Sequence, residues 1–174
     1  MIRIRLAKID ELDKLSEIEK SADQVFREIS ELAWIANDPE QYIERYRESI
    51  LLGFCWVIVD DDTPIGFLSA EIIENELHIW QLAVRYERQG EGHGSALIKK
   101  AIEMAYKHVL SAITLTTFSN VPWNAPFYAR MGFNLLDKNA ISERLRKTMM
   151  SEAEHGLPLE WRCAMRLEID KITR

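Results

Sequence analysis

Three apolar runs in close succession constrain this chain more than any other feature: FCWVIVD from Phe54, IGFLSAEII from Ile65 and ELHIWQLAV from Glu76. Each has the length and the β-branched and aromatic content of a strand. DDDTP between the first two is a turn cluster, so these two form a hairpin and the third lies next to them. Around this block the period changes. Ile2, Ile4 and Leu6 alternate with Arg3 and Arg5, which predicts a half-buried strand. From Asp10, Leu12, Leu15, Ile18, Ala22 and Phe26 recur at helical spacing, and a second helix is expected from about Pro39 to Ile50 with Tyr42, Ile43 and Tyr46 on one side.

After the block, SALIKKAIEMAYKHV carries Ala96, Leu97, Ala101, Ile102 and Ala105 on one helical face, and AITLTTF is another strand. VPWNAPFYARMGF places two prolines near a helix start and a glycine past its end, the asymmetry of a short helix. Residues Phe133 to Asp137 then return as strand, Ile141 to His155 form a charged, exposed helix, and Glu160 to Ile169 form a last strand. The order β α α β β β α β α β α β joins a hairpin-linked antiparallel portion to βα crossovers. That predicts a mixed α/β (α+β) class with one central sheet, as a single domain over all 174 residues.

Charge and cysteine usage narrow the function classes. A net charge of -6 argues against a sequence-independent grip on nucleic acid or on an anionic membrane surface, each of which needs a basic face. Cys55 and Cys163 lie in apolar runs without CxxC or Cys/His pairing, so the expectation is two core thiols in a reducing cytoplasm, with no metal and no disulfide framework. No apolar stretch reaches the roughly 18 residues of a membrane helix, and the first residues lack a signal-peptide core, so a cytoplasmic location is expected.

The chemistry concentrates in RQGEGHGSAL, Arg88 to Leu97, where Gly90, Gly92 and Gly94 alternate between a strand and a helix. A Rossmann fingerprint would need Gly or Ala where Ser95 or Leu97 stands, and a P-loop would need a lysine after the last glycine. Gln89-x-x-Gly92-x-Gly94 offers instead successive backbone N–H groups and the positive end of a helix, a concavity for a pyrophosphate. The alternative is a turn whose glycines only let strand and helix pack closely.

Read with NAPFYARMGF from Asn124 to Phe133, VRYERQGEGHGSAL resembles the Gln/Arg-x-x-Gly-x-Gly/Ala segment of the GNAT family of N-acetyltransferases, and the element order is similar to that family's over nearly the whole chain. The resemblance implies a mostly antiparallel sheet of about seven strands with flanking helices and a splayed fourth and fifth strand. It implies transfer of acetyl from acetyl-CoA directly to an amine of a small molecule or peptide, without metal or covalent enzyme intermediate, and it allows a homodimer. Gln89, Gly90, Gly92, His93, Gly94 and Ser95 would hold the pyrophosphate, His93 as a solvent-facing residue at the helix start. Leu82, Ala83 and Val84 would pair with the pantetheine arm like an added strand.

Tyr128 would touch the cofactor and protonate the departing sulfur, since a phenol keeps its proton at neutral pH. Asn124 is a cofactor contact, a helix N-cap, or both. Val121 stands where many relatives have asparagine, with Asn120 one residue away. Gln81 occupies the place of a glutamate base; an amide takes no proton there, which leaves a water relay, His78 or Glu76. Phe26, Trp34, Trp80, Gln81, Ser119 and Asn120 are the acceptor-pocket candidates, Trp34 and Trp80 as an aromatic wall for a cation. An acyl-CoA-binding or sensing module without catalysis, or an O-acyl or longer-acyl transferase, stays open beside this reading.

Overall fold

The computed structural model describes residues 1–38 and 42–170. The alternating arginines and isoleucines form β1 (Ile2–Leu6), but its apolar side chains are not the buried ones. Ile2 and Leu6 are exposed, while Arg5 turns inward to form a two-pronged ion pair with Glu11 at 3.0 and 2.6 Å. Among the described residues β1 pairs only with β2, and an edge strand can leave an apolar face in water when its other face is held by charge pairs.

The helical spacing after Asp10 yields α1 (Leu12–Ala22), which ends sooner than the pattern suggests; 3₁₀ turns over Asp23–Glu28 and Ser30–Asn37 follow, and Phe26 lies in the first of them. Next comes α2 (Ile43–Leu52), closed by Gly53 at φ 82°; Pro39 to Gln41 of the expected helix fall outside the described residues. Leu12, Leu15 and Ile18 of α1 and Tyr46 of α2 pack on Cys55, Val57, Val59 and Phe67 of the sheet.

The apolar block gives β2 (Cys55–Asp60), β3 (Thr63–Ile73) and β4 (Glu76–Val84). Two-residue turns, Asp61-Asp62 and Glu74-Asn75, join them with positive φ throughout, the left-handed geometry that matches strand twist. Then follow α3 (His93–Lys107), β5 (Ala112–Phe118), α4 (Ala125–Arg130), β6 (Asn134–Leu135), α5 (Glu143–Glu154) and β7 (Arg162–Glu168). The strands bond in the order β1-β2-β3-β4-β5-β7-β6. β1/β2, β2/β3, β5/β7 and β6/β7 are antiparallel; β4/β5 is parallel, with a ladder from Glu76↔Ala112 to His78↔Thr114. Leu82–Val84 therefore lie beyond the last rung of that ladder.

Contacts divide the chain into two compact units, residues 1–71 with 79–101 and residues 72–78 with 102 onward. In the second unit, α5 is not the exposed helix its charge suggests. Leu145 and Met149 pack on Ala164 of β7, and the Arg144 guanidinium bonds Glu76 at 2.7 Å and Thr114 at 3.1 Å. Cys55 and Cys163 are buried free thiols; burial pushes Cys55 up to about 12.

Candidate active site

The loop between β4 and α3 is built by backbone. Beyond Val84 a 3₁₀ turn over Tyr86–Arg88 reverses the chain, and Gln89 Nε2 donates back to the Val84 carbonyl at 3.1 Å. Gly90 and Gly92 follow with φ of 81° and 87°, a left-handed conformation that costs an L-residue roughly 1–2 kcal/mol. A Cβ built on either glycine meets no atom within 4 Å. Close packing is thus not why they are glycine; at Gly66, by contrast, a Cβ would lie 3.0 Å from the Ala83 carbonyl oxygen. From Gly92 the loop enters α3, whose first intrahelical bond is Ala96 N–H to Gly92 O at 3.1 Å. The first amides of a helix have no partner inside it, and here the first turn, with His93, Gly94 and Ser95, follows directly on left-handed Gly92.

His93 departs from expectation. It is buried, 8% exposed, with Nε2 donating to Glu91 at 2.8 Å, because Glu91 draws it in; the same carboxylate accepts from Arg88 Nε at 3.0 Å. These two partners, His93 first, hold the Glu91 carboxyl below its usual range. Arg88 also reaches Asp60 at 3.2 Å, which fixes the loop to the end of β2.

Gln81 stands one residue before Leu82. Its Oε1 accepts from the Leu82 N–H at 3.1 Å, so its Nε2 points away, to Glu19 Oε1 of α1 at 3.0 Å. The other Glu19 oxygen accepts from the Tyr46 hydroxyl at 2.8 Å. Burial pushes Glu19 up, opposed by the bonds from Tyr46 and Gln81. Burial likewise raises Asp23, to about 8, helped by the charges of Glu19 and Asp38. None of Glu19, Asp23 or Tyr46 stands out as functional in the sequence. The signal was present: Glu19 follows Leu12 by seven and Leu15 by four, on the apolar stripe of α1, where a carboxylate needs a reason.

Trp80 donates Nε1–H to Glu71 at 2.9 Å, and Arg45 lies 3.8 Å from its ring centroid. The cation on this ring is the chain's own. Trp34 is partly exposed, on the 3₁₀ segment Ser30–Asn37.

In the second unit His78 is 1% exposed, its Nδ1 lying 2.9 Å from Thr114 Oγ1 and 3.2 Å from an Arg144 terminal nitrogen. Arginine only donates, so the Nδ1 lone pair that a base would use is engaged by Arg144. Glu76 is likewise committed, to Arg144 and Arg166. Neither substitute base suggested by the sequence is therefore unencumbered. Tyr128 is buried in α4 with edge contacts to Phe127 and Phe133 at 5.1 and 5.7 Å. Burial raises its phenol, opposed by the charge of Arg162. Asn124 makes no side-chain cap bond, and its buried Oδ1 has no partner among the described residues. Ser119 is tied to the Trp161 carbonyl at 3.0 Å, Asn120 is exposed and Val121 is buried.

A mixed sheet with a parallel β4/β5 pair, bridged by a glycine loop and a helix, is the fold of solved N-acetyltransferases. One is the PaiA N-acetyltransferase from Thermoplasma acidophilum in complex with coenzyme A, 18% identical, TM-score 0.70, covering 97% of this chain and 99% of that one. Another is the ribosomal-protein-S18-alanine N-acetyltransferase from Escherichia coli, 19% identical, TM-score 0.65, covering 100% and 97%. N-acetylglutamate synthase from Neisseria gonorrhoeae with coenzyme A and N-acetyl-glutamate is 15% identical, TM-score 0.72, covering 98% of this chain and 36% of that one. The acetyltransferase (GNAT) family model matches residues 20–133, and the chain belongs to that family.

Proposed function

We propose that this chain is an acetyl-CoA-dependent N-acetyltransferase acting directly on an amine of a small molecule or peptide. The observation that carries the reading is the loop at Gly90 and Gly92: left-handed, open to solvent where side chains would stand, and opening onto the first turn of a long helix. Backbone amides there suit a pyrophosphate. Asn124 adds a second fit, since a buried acceptor without a partner suits an amide donor from the pantetheine arm.

Acetyl-CoA supplies the activated acyl group as a thioester. The residues of this chain bind and shield it, and move protons. Gln89, through its bond to the Val84 carbonyl, sets the loop on the end of β4; Gly90, Gly92, His93, Gly94 and Ser95 present amides to phosphate oxygens. Leu82, Ala83 and Val84 offer backbone to the arm, with Gly66 giving Ala83 the room it needs. Tyr128, kept protonated by burial, donates its hydroxyl proton to the leaving sulfur. Phe26, Trp34, Trp80, Ser119 and Asn120 are assigned to the acceptor side. Buried free thiols at Cys55 and Cys163 accord with work in a reducing cytoplasm.

Two measurements test this. Calorimetric titration with CoA should show one saturable site, and thiol release from acetyl-CoA should appear with at least one member of a panel of polyamines, amino acids, aminoglycosides and peptides. No CoA binding would overturn the proposal. Tight binding without turnover on any amine would turn it into a CoA-binding module.

A further inference from the structure

Acetyl transfer to an amine needs a proton acceptor, because most amines are ammonium ions at neutral pH and nitrogen attacks only after a proton leaves. Gln81, beside the segment assigned to the pantetheine arm, cannot serve. We infer that Glu19 of α1 is the base, with Gln81 and Tyr46 as positioning residues that hold its carboxylate; this rests on the transferase reading above.

Three observations converge on Glu19. It is 6% exposed, and its two hydrogen-bond donors among the described residues, Tyr46 and Gln81, are neutral. Buried carboxylates are ordinarily matched to a cation. An incoming ammonium would supply both a positive charge and a proton. Second, the amide of Gln81 is fixed in orientation: its oxygen accepts from the Leu82 N–H, so its nitrogen faces Glu19 and the carboxylate is coupled to β4 at Leu82. Third, among the described residues each Glu19 oxygen receives one bond, which leaves a lone pair on each for a proton. Burial raises the carboxyl, which makes the carboxylate a stronger base.

The step balances as follows. An N–H bond of the ammonium breaks and its proton passes to a Glu19 oxygen, directly or through one water. The freed pair forms the C–N bond to the acetyl carbon, the C–S bond breaks with its pair going to sulfur, and sulfur takes up a proton. The nitrogen loses two protons per cycle: one balances that taken up by sulfur, and the other passes from Glu19 to solvent. The groups that set the carboxylate's titration are Tyr46 of α2, Gln81 of β4, Asp23 and Asp38 beyond α1, and Lys20 on α1 itself.

The test compares pH–rate profiles of the wild type, Glu19→Gln and Tyr46→Phe on the amine that the panel identifies. Glu19→Gln should lower kcat/KM by about 100-fold or more and erase the acidic limb, while CoA affinity by calorimetry stays within about twofold. Tyr46→Phe keeps the carboxylate but removes a donor to its charged form, so the acidic limb should move to higher pH, a change that loss of packing alone would not cause. Wild-type rates and an unmoved limb in Glu19→Gln overturn the inference while leaving the transferase reading intact. An unmoved limb in Tyr46→Phe overturns it too, and serves as the arbiter should Glu19→Gln fail to fold. Failure of the wild type to bind CoA would strike the transferase reading itself.

Discussion

Tyr128 and Asp23 show burial working in opposite directions on function and stability. The Tyr128 phenol, raised by its surroundings, keeps its proton well past neutral pH and is available as an acid throughout the working range. Tyr128→Phe should therefore lower kcat by about 100-fold while leaving CoA affinity within about twofold, as read by steady-state thiol release and calorimetry. Unchanged turnover across pH would remove Tyr128 from the reaction. Asp23, raised from 3.8 to about 8, is a liability to the fold. Between those values the folded chain holds a proton that the unfolded chain has shed, so stability is greatest below the lower one and falls as pH rises towards the upper. Asp23→Asn should accordingly stabilise the protein more at pH 8.5 than at pH 4.5, measured by urea unfolding at the two pH values; an equal gain at both would contradict the assignment. Tyr128 was legible in the sequence because it sits in a recognisable FYARMGF segment. Glu19 was legible only as a carboxylate on the apolar stripe of α1, since a charge on a helix normally means a solvated face, and Asp23, in the 3₁₀ turn after α1, carried no such signal.

At the scale of elements, the β4–α3 junction separates backbone strain from cofactor binding. Gly53, which closes α2 at φ 82° with nothing within 4 Å of its Cβ position, has nearly the same conformation and space as Gly92 at 87°. Alanine at either should cost about 1 kcal/mol, by strain alone. Only Gly92→Ala should also weaken CoA binding, by about tenfold or more, because its side chain would stand where the phosphate is proposed to approach; equal effects of the two variants on CoA affinity would show that the loop is not the cradle. The strand-turn-helix setting of this loop was readable from three alternate glycines after an apolar run. The character of α5 was not. Its charge suggested an exposed helix, yet Arg144 is 13% exposed and joins Glu76, His78 and Thr114, while Leu145 and Met149 are buried. Charge counts cannot show that a guanidinium is paired inside. Glu76→Ala would remove the carboxylate that Arg144 and Arg166 share, leaving Arg166 its pair with Glu168, and should destabilise the fold by about 1–3 kcal/mol in denaturant unfolding.

Across the whole molecule, the element order was legible because periodicity is a local property: among the described residues seven strands and five helices lie close to where alternation, helical spacing and turn residues put them, though β6 shrinks to Asn134–Leu135, α1 stops at Ala22 and the expected start of α2 lies outside those residues. What the chain order could not show is which residues from distant segments meet, and the Glu19–Tyr46–Gln81 group, drawn from α1, α2 and β4, is of that kind. Cofactor binding offers a test at this scale, since a ligand that binds only the folded chain raises its stability by mass action. At a CoA concentration about 100 times Kd the gain is about 2.7 kcal/mol, which for a chain of this size is a rise in Tm of about 5–11 °C. Adenosine at the same concentration lacks the pyrophosphate that the Gly90–Gly92 loop is proposed to hold and should move Tm far less. If adenosine matched CoA, the loop would not be the principal contact, and if neither moved Tm at millimolar concentration, the chain would not be a CoA enzyme.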